Sequence, residues 1–432
     1  FDFNYLFIVI CQILWSLIFF ATSPINHMDL SNYNSAGEKS SKIGATNELI
    51  SFGSQRILSF QKIGVASCFA NRATLDLFSR KQTIYELREH LSAAINWLKR
   101  AHDNTVDGGV SWGYSLKGDW RKSYPETSGY IAITLFDVAL QLDDDDSWKR
   151  AVNIAKWLIQ IQNDDGSISN SRYSSSGIVF DTGQVLLGLI RAFIETQEQY
   201  FLEAALCAGN WLVAVASCEL VWTNYTHLGI PHVYNTRVAW GLLQLNILSP
   251  RKDYLSVALA NLEWGLANQK CGWFENCAFS VDDAPFTHNI AYALRGLLES
   301  GILLEEQRYI DAAIRGSQVV RSHLHTNGFI PGQISSDGSA QSSYCCLTGN
   351  CQMSIVWLKL FEITNDISYY QAAKRSMEYV MSSQDIDTSN LNIRGGIKGS
   401  QPIWGKYTRL SYPNWATKFF IDGLLMLIRA KL

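Results

Sequence analysis

Glu126 and Asp181 each stand directly before a threonine that opens an apolar stretch, in PETSGYI and FDTGQVL. Two carboxyl groups flanking one bond are the equipment of glycoside cleavage, one donating a proton and the other acting as base or nucleophile. His288 takes the threonine's place in a third such stretch, HNIAYAL. It is a candidate general base, or a group that holds a carboxylate or hydroxyl. The structural alternatives are ordinary. First-turn acids complement a helix dipole, and the repeated threonine is a good N-cap.

Around these three lie residues suited to a flat, hydroxyl-rich or acidic ligand. The candidate binding set is Trp112, Tyr114, Trp120, Tyr124, Tyr234, Asn235, Arg237, Trp273, Asn350, Trp404, Tyr412, Asn414 and Trp415. Aromatic platforms and forked cations fit sugars, acidic ones above all. Packing within loops is the plainer reading of any single aromatic in the set.

Repeats show what must position these groups. A pattern of paired small residues followed by Trp-Leu or a close variant recurs at His90–Leu98, Ser147–Leu158, Tyr200–Leu212, Asp253–Leu266, Arg308–Val320 and Ser368–Val380. Each copy has an apolar face at helical spacing and a charged opposite face. A second segment follows each, beginning near Thr127, Thr182, Thr236, His288, Thr348 and Trp415, apolar nearly all round and rich in small residues. The spacing predicts six outer and six inner helices, an all-α (α/α)6 toroid built of six helical hairpins. Inner-to-outer links are short, as in LDDDDS, and outer-to-inner links are long. The long loops then share one rim with the inner-helix N-termini, whose free N–H groups favour anionic or hydroxylated ligands. Aligned on their starts, the inner helices present Glu126, Asp181, Asn235, Thr287, Leu347 and Asn414 as one ring.

In the 432 residues, 47% are apolar and 17% charged, which describes a large core. A net charge of -3 with no local Lys/Arg run excludes a nucleic-acid partner. Nine cysteines at irregular spacing do not read as a disulfide framework and fit a reducing compartment. The spacings around Cys271, Cys277, Cys345, Cys346 and Cys351 are not those of common zinc sites, so no metal or cofactor is expected. Asp143–Asp146 reads as a solvated turn, while Asp282 and Asp283 lie in a loop of the candidate rim. Tyr5–Thr22 is apolar and is read as a membrane anchor, a truncated signal or a buried helix. The expected organisation is residues 1–22 apolar segment, 23–85 linker and extension, and 86–432 toroid. Location is cytoplasmic or membrane-associated.

YPETSGYI, FDTGQVLLGLI, YNTRVAW, THNIAYALRGLLE, CLTGN and GGIKGSQPIWGKY resemble bacterial Vps-type polysaccharide-biosynthesis proteins over about residues 86–432. The resemblance implies an (α/α)6 toroid of the six-hairpin glycosidase and terpenoid-cyclase-like superfamilies, with a role in making or tailoring polysaccharide. It assigns no catalytic residue. Gln162, Asp165, Gly166 and Ser167 are similar to the Q…DG repeat of squalene and prenyl toroids, but Ser280 stands where their acid motif needs Asp. Three functions follow. The first is an enzyme acting on an oligo- or polysaccharide, as hydrolase through Glu126 and Asp181 or as uronate lyase or epimerase through His288. The second is a non-catalytic glycan-binding component, and the third a terpenoid cyclase or prenyl-transfer toroid.

Overall fold

The computed structural model describes residues 85–169 and 176–430. The apolar segment and nearly all of the linker lie outside the described residues. Among the described residues, twelve α-helices run in strict outer–inner alternation. The outer helices are α1 (Leu87–Asp103), α3 (Asp145–Ile161), α5 (Gln199–Ala214), α7 (Lys252–Ala267), α9 (Gln307–Arg321) and α11 (Ile367–Met381). The inner ones are α2 (Pro125–Leu142), α4 (Val179–Thr196), α6 (Thr236–Leu248), α8 (Thr287–Leu304), α10 (Leu347–Thr364) and α12 (Asn414–Arg429). Each inner helix packs on the next, and α12 returns to α2, so the ring closes as an (α/α)6 toroid.

Burial follows the two kinds of sequence. In α1 only one stripe is covered, including Leu91, Ala94, Ile95 and Leu98, while α10 is buried almost continuously from Leu347 to Leu358. The pairing within hairpins differs from the expected one. The close partner of an outer helix is the preceding inner helix, joined to it by a turn of two or three residues: α3 on α2, α5 on α4, α7 on α6, α9 on α8 and α11 on α10. That leaves α1 with no preceding inner helix, and it packs on α12 instead, so the start of the toroid closes on its end.

The short turns have a shared geometry. Asp143, Gln197, Glu305 and Asn365 each end an inner helix in the left-handed region, with φ between 55° and 58°. This conformation reverses the chain within two residues and returns the cap N–H to a carbonyl of the last turn. The long connections carry three two-stranded ribbons. β1 (Gly113–Ser115) pairs with β6 (Ser411–Pro413), β2 (Gln269–Lys270) with β3 (Trp273–Phe274), and β4 (Cys345–Cys346) with β5 (Ser400–Gln401), all antiparallel. Two of these ribbons tie the last loop to the first and fifth, bracing the rim where the inner helices begin. No described helix is long and apolar enough to cross a membrane.

Candidate active site

The threonines expected as N-caps are not caps. The residues in that position are Tyr124, Ile178, Asn235, Phe286, Cys346 and Pro413. Several first-turn hydroxyls instead fasten the preceding loop to the helix. Ser128 Oγ accepts from Val110 N at 3.0 Å, Thr182 Oγ1 from Ile168 N at 2.9 Å, and Thr417 Oγ1 from Ile397 N at 3.0 Å. Counted from these fasteners, Glu126 lies two residues ahead and Asp181 one. The two are therefore neighbours on adjacent helices, turned by about one residue, some 100° of helix, relative to the expected ring.

Two glycines bring those helices together. A Cβ on Gly188 of α4 would lie 2.4 Å from the Gly129 carbonyl oxygen of α2, and one on Gly129 would lie 2.7 Å from Gln184 O. Any side chain there would force the backbones apart. The approach puts Asp181 close enough for the Glu126 charge to act on it.

The electrostatics of the pair are unusual. Asp181 is 4% exposed, and its Oδ2 has no hydrogen-bond partner. Burial first, then the Glu126 charge, pushes its carboxyl well above the ordinary range. Burial also raises Glu126, to about 7. Side-chain hydrogen bonds from Tyr124 and Tyr130 and the field of Arg237 work the other way, favouring its ionised form. One member of the pair is thus set to keep its proton near neutrality and the other to give it up.

Aromatic rings surround the pair. The Tyr130 hydroxyl donates to Glu126 Oε1 at 3.4 Å and lies 3.5 Å from the Tyr292 hydroxyl. Tyr292 meets Phe180 at a centroid distance of 5.0 Å and His288 at 4.5 Å, and Phe180 meets Tyr234 at 5.3 Å. Tyr407 lies 5.2 Å from the His288 ring and accepts a hydrogen bond from Trp415 Nε1 at 2.8 Å. Trp415 in turn contacts Trp112 and Tyr124. Arg237 is 4% exposed, donates from Nε to Gln184 Oε1 at 2.7 Å and sits over the Tyr292 and Trp240 rings. His288 is held by Gln352, whose Oε1 is 2.9 Å from Nδ1. Burial drives the imidazole down to about 3, so it is neutral in the physiological range.

Of the residues chosen from sequence, Glu126, Asp181, His288, Tyr124, Tyr234, Arg237, Trp112 and Trp415 are linked in this cluster. Others lie elsewhere. Trp120 packs on Trp97 of α1 and on Tyr114, and its Nε1 donates to Asn392. Tyr412 faces Tyr114 in the β1–β6 ribbon. Asn350 is buried, bonded to Cys345 Sγ and Gly328 O. Asn414 clamps Ser111 and Thr127, although its Oδ1 is unpartnered, as is Oδ1 of the buried Asn235. Trp273 meets His323 at the rim, and Trp404 is half-buried and accepts from Arg409 through its carbonyl.

Asp283 is paired with Lys406 at 2.7 Å, beside a rim cavity of about 410 Å³ that Asp282 and His232 help to line. Among the described residues no three His, Cys, Asp or Glu are grouped to hold a metal.

Tyr130, Gln184, Tyr292, Gln352 and Tyr407 were not among the residues chosen from sequence. Four of them carried a signal. They are polar side chains set about one turn inside inner helices that are otherwise apolar, as in ETSGY, DTGQ, HNIAY and TGNCQ.

No family model matches the chain, and no curated protein matches its sequence. Solved structures do match its fold. A Bacillus unsaturated glucuronyl hydrolase superposes with a TM-score of 0.65 at 14% identity, over 79% of this chain and 97% of that one. The cellobiose 2-epimerase of Bacillus thermoamylovorans gives 0.64 at 12%, over 80% and 98%. A D-mannose isomerase gives 0.62 at 11%, over 82% and 100%. The chain has the (α/α)6 toroid fold of these proteins.

Proposed function

We propose that the chain is a carbohydrate-active enzyme, a glycoside hydrolase that cleaves an oligo- or polysaccharide at the Glu126–Asp181 pair. One observation carries the reading: adjacent carboxyls at the start of two inner helices, Asp181 buried and Glu126 half-buried, their acidities pushed apart by different surroundings. Asp181 has no donor but its own backbone and sits under the Glu126 charge, which suits a proton donor. Glu126 receives two tyrosine hydrogen bonds and the field of Arg237, which suits a carboxylate base or nucleophile.

In the step so assigned, Asp181 gives its proton to the glycosidic oxygen as the bond from that oxygen to C1 breaks. Water supplies the new oxygen at C1 and its proton goes to Glu126, so one water is consumed. The same sum holds if Glu126 first bonds C1 and water then displaces it. Trp112, Tyr124, Tyr234 and Trp415 would stack on the sugar, and Arg237 would orient a polar or acidic substituent.

Similarity of fold to a glucuronyl hydrolase, an epimerase and an isomerase supports a sugar as ligand, and the resemblance to Vps-type proteins supports a place in polysaccharide tailoring. Proton abstraction by His288, as a lyase or epimerase would require, fits less well. An imidazole held near 3 is a poor base. A terpenoid cavity fits poorly too, since Asp181, Asn235, Arg237, His288 and Gln352 are polar and buried.

The test is product analysis on a panel of neutral and uronate-containing oligosaccharides. Release of a reducing sugar with ¹⁸O from labelled water supports hydrolysis. An unsaturated product, or exchange of a sugar C–H with solvent and no cleavage, would overturn it in favour of lyase or epimerase chemistry.

A further inference from the structure

His232 is 2% exposed and lies in the long loop between α5 and α6. Both of its ring nitrogens face backbone carbonyls. Nε2 is 2.8 Å from His227 O in the same loop, and Nδ1 is 3.0 Å from Ala278 O in the loop between α7 and α8. A carbonyl oxygen only accepts, and a neutral imidazole carries a single N–H. Either neutral tautomer leaves a nitrogen lone pair against an oxygen lone pair. Only the imidazolium, with an N–H at each nitrogen, satisfies both contacts.

The ring held in this way lies flat on Tyr234, at a centroid distance of 4.5 Å and an interplanar angle of 14°. Tyr234 in turn meets Phe180, the residue before Asp181, at 5.3 Å and Phe279 at 6.1 Å. Phe279 follows the bonded Ala278 and leads through Phe286 to Tyr407. The two carbonyls fix the imidazole, and the imidazole backs one wall of the aromatic cluster around the carboxyl pair.

We propose that protonated His232 clamps the α5–α6 loop to the α7–α8 loop and seats Tyr234 in the wall of the site. Loss of a proton opens one arm of the clamp, and the longer arm, to Ala278, is the one expected to part. His232 is thus a positioning residue. The Val233 N–H donates to Asn276 O at 2.9 Å and joins the same loops without titrating, so the opening is local.

The titratable groups facing His232 come from two loops. His227 is on its own loop, with ring centroids 6.2 Å apart, and Tyr234 is beneath it. Glu275, Cys277, Asp282 and Asp283 of the α7–α8 loop line one cavity with it, Glu275 paired with Lys270 and Asp283 with Lys406. The α9–α10 loop adds only uncharged Ser335, Ser336 and Gln341 to that cavity. Burial draws the imidazole below its ordinary 6.5, against the two carbonyl bonds that favour the charged form. The clamp therefore closes on the acid side of neutrality. Its effect on sugar binding rests on the hydrolase reading, with Tyr234 as a platform; its geometry does not.

The first test is ¹⁵N NMR of the imidazoles in the unaltered full chain, with His232→Phe identifying the resonance. Below the midpoint both His232 nitrogens are expected to carry a proton, and above it only one. Protection of the Val233 amide against hydrogen exchange, corrected for the intrinsic rate, is expected to fall about tenfold as pH rises through that midpoint, the worth of one hydrogen bond. His232→Phe keeps a ring to stack on Tyr234 but has no N–H, and is expected to show the lower protection at every pH. His227→Gln keeps the backbone carbonyl and removes the neighbouring imidazole, so the step is expected to persist with its midpoint moved up.

A His232 ring with one N–H at every pH at which the chain is folded overturns the clamp, and the unaltered chain alone decides this. A step that survives in His232→Phe, or vanishes in folded His227→Gln, overturns it as well. None of these readings needs a substrate, so the clamp and the hydrolase reading fail separately. Where a glycan is cleaved, His232→Phe is expected to raise KM at acid pH with kcat nearly kept. A loss of kcat with KM unmoved would end the positioning role.

Discussion

The two rims of the toroid treat the same functional group in opposite ways. On the short-turn rim, Asp144 and Asp146 lie 2.7 and 2.9 Å from Lys99 Nζ, and Asp146 also pairs with Arg150. Hydrogen bonds from Arg150 and Lys99 hold Asp146 below its ordinary range. At Asp144, partial burial is outweighed by Lys99 and by Ser147 at the helix start. On the long-loop rim, Asp181 is buried and Glu126 half-buried, neither has a salt bridge among the described residues, and both are raised. An acidic run that looks chemical in sequence is a solvated ion-pair network. Two isolated acids fifty-five positions apart, by 181 minus 126, are the perturbed ones. Local charge density says little about acidity, and access to water and cations decides it.

The strongest way to break this contrast is to remove the buried acid. Asp181→Asn is expected to lower kcat/KM by about 100- to 10,000-fold on the cleaved glycan, the usual worth of a positioned proton donor. Asp146→Asn should leave it unchanged. Equal losses in steady-state assays would show that the Glu126–Asp181 pair has no special role.

The contrast also fixes the sign of pH effects. Raised carboxyls bind more protons folded than unfolded, so their contribution is complete below the unfolded values of 3.8 and 4.5 and is lost as pH rises toward 7 and above. The depressed Asp144 and Asp146 contribute above their unfolded value and lose that contribution as pH falls. Each proton difference is worth about 1.4 kcal/mol per pH unit. In urea unfolding between roughly pH 5 and pH 8, Asp181→Asn is therefore expected to flatten a decline in stability. Asp144→Asn should flatten only the acid side. Turnover is expected to be bell-shaped, rising near 7 as Glu126 ionises and falling at higher pH as Asp181 does. A pH-independent rate would contradict the assignment of roles.

Smaller effects probe position. Gly188→Ala inserts a Cβ 2.4 Å from the Gly129 carbonyl oxygen. It is expected to cost about 1–3 kcal/mol in denaturant unfolding and to lower kcat more than it raises KM, because it separates α2 from α4. Lys99→Ala should be mildest, below about 1 kcal/mol and smaller still in high salt, as for pairs open to water. A larger loss there would mean that the short-turn rim is a rigid brace and not a solvated edge.

Helix order, the inner or outer character of each helix and the rim that gathers the long loops were legible in the chain itself. Apolar spacing and loop length are local properties, and a buried helix must be apolar on every side. Glu126, Asp181 and His288 stood out because they interrupt repeats. What the chain alone did not determine was partnership. Closure of α1 on α12, the one-residue offset between Glu126 and Asp181, and the demotion of Trp120, Tyr412 and Asn350 to loop and core packing depend on how rigid helices meet around a closed ring. Contacts between inner helices depend on it too, since they require approaches that Gly129, Gly188 and Gly349 permit only once the ring has formed.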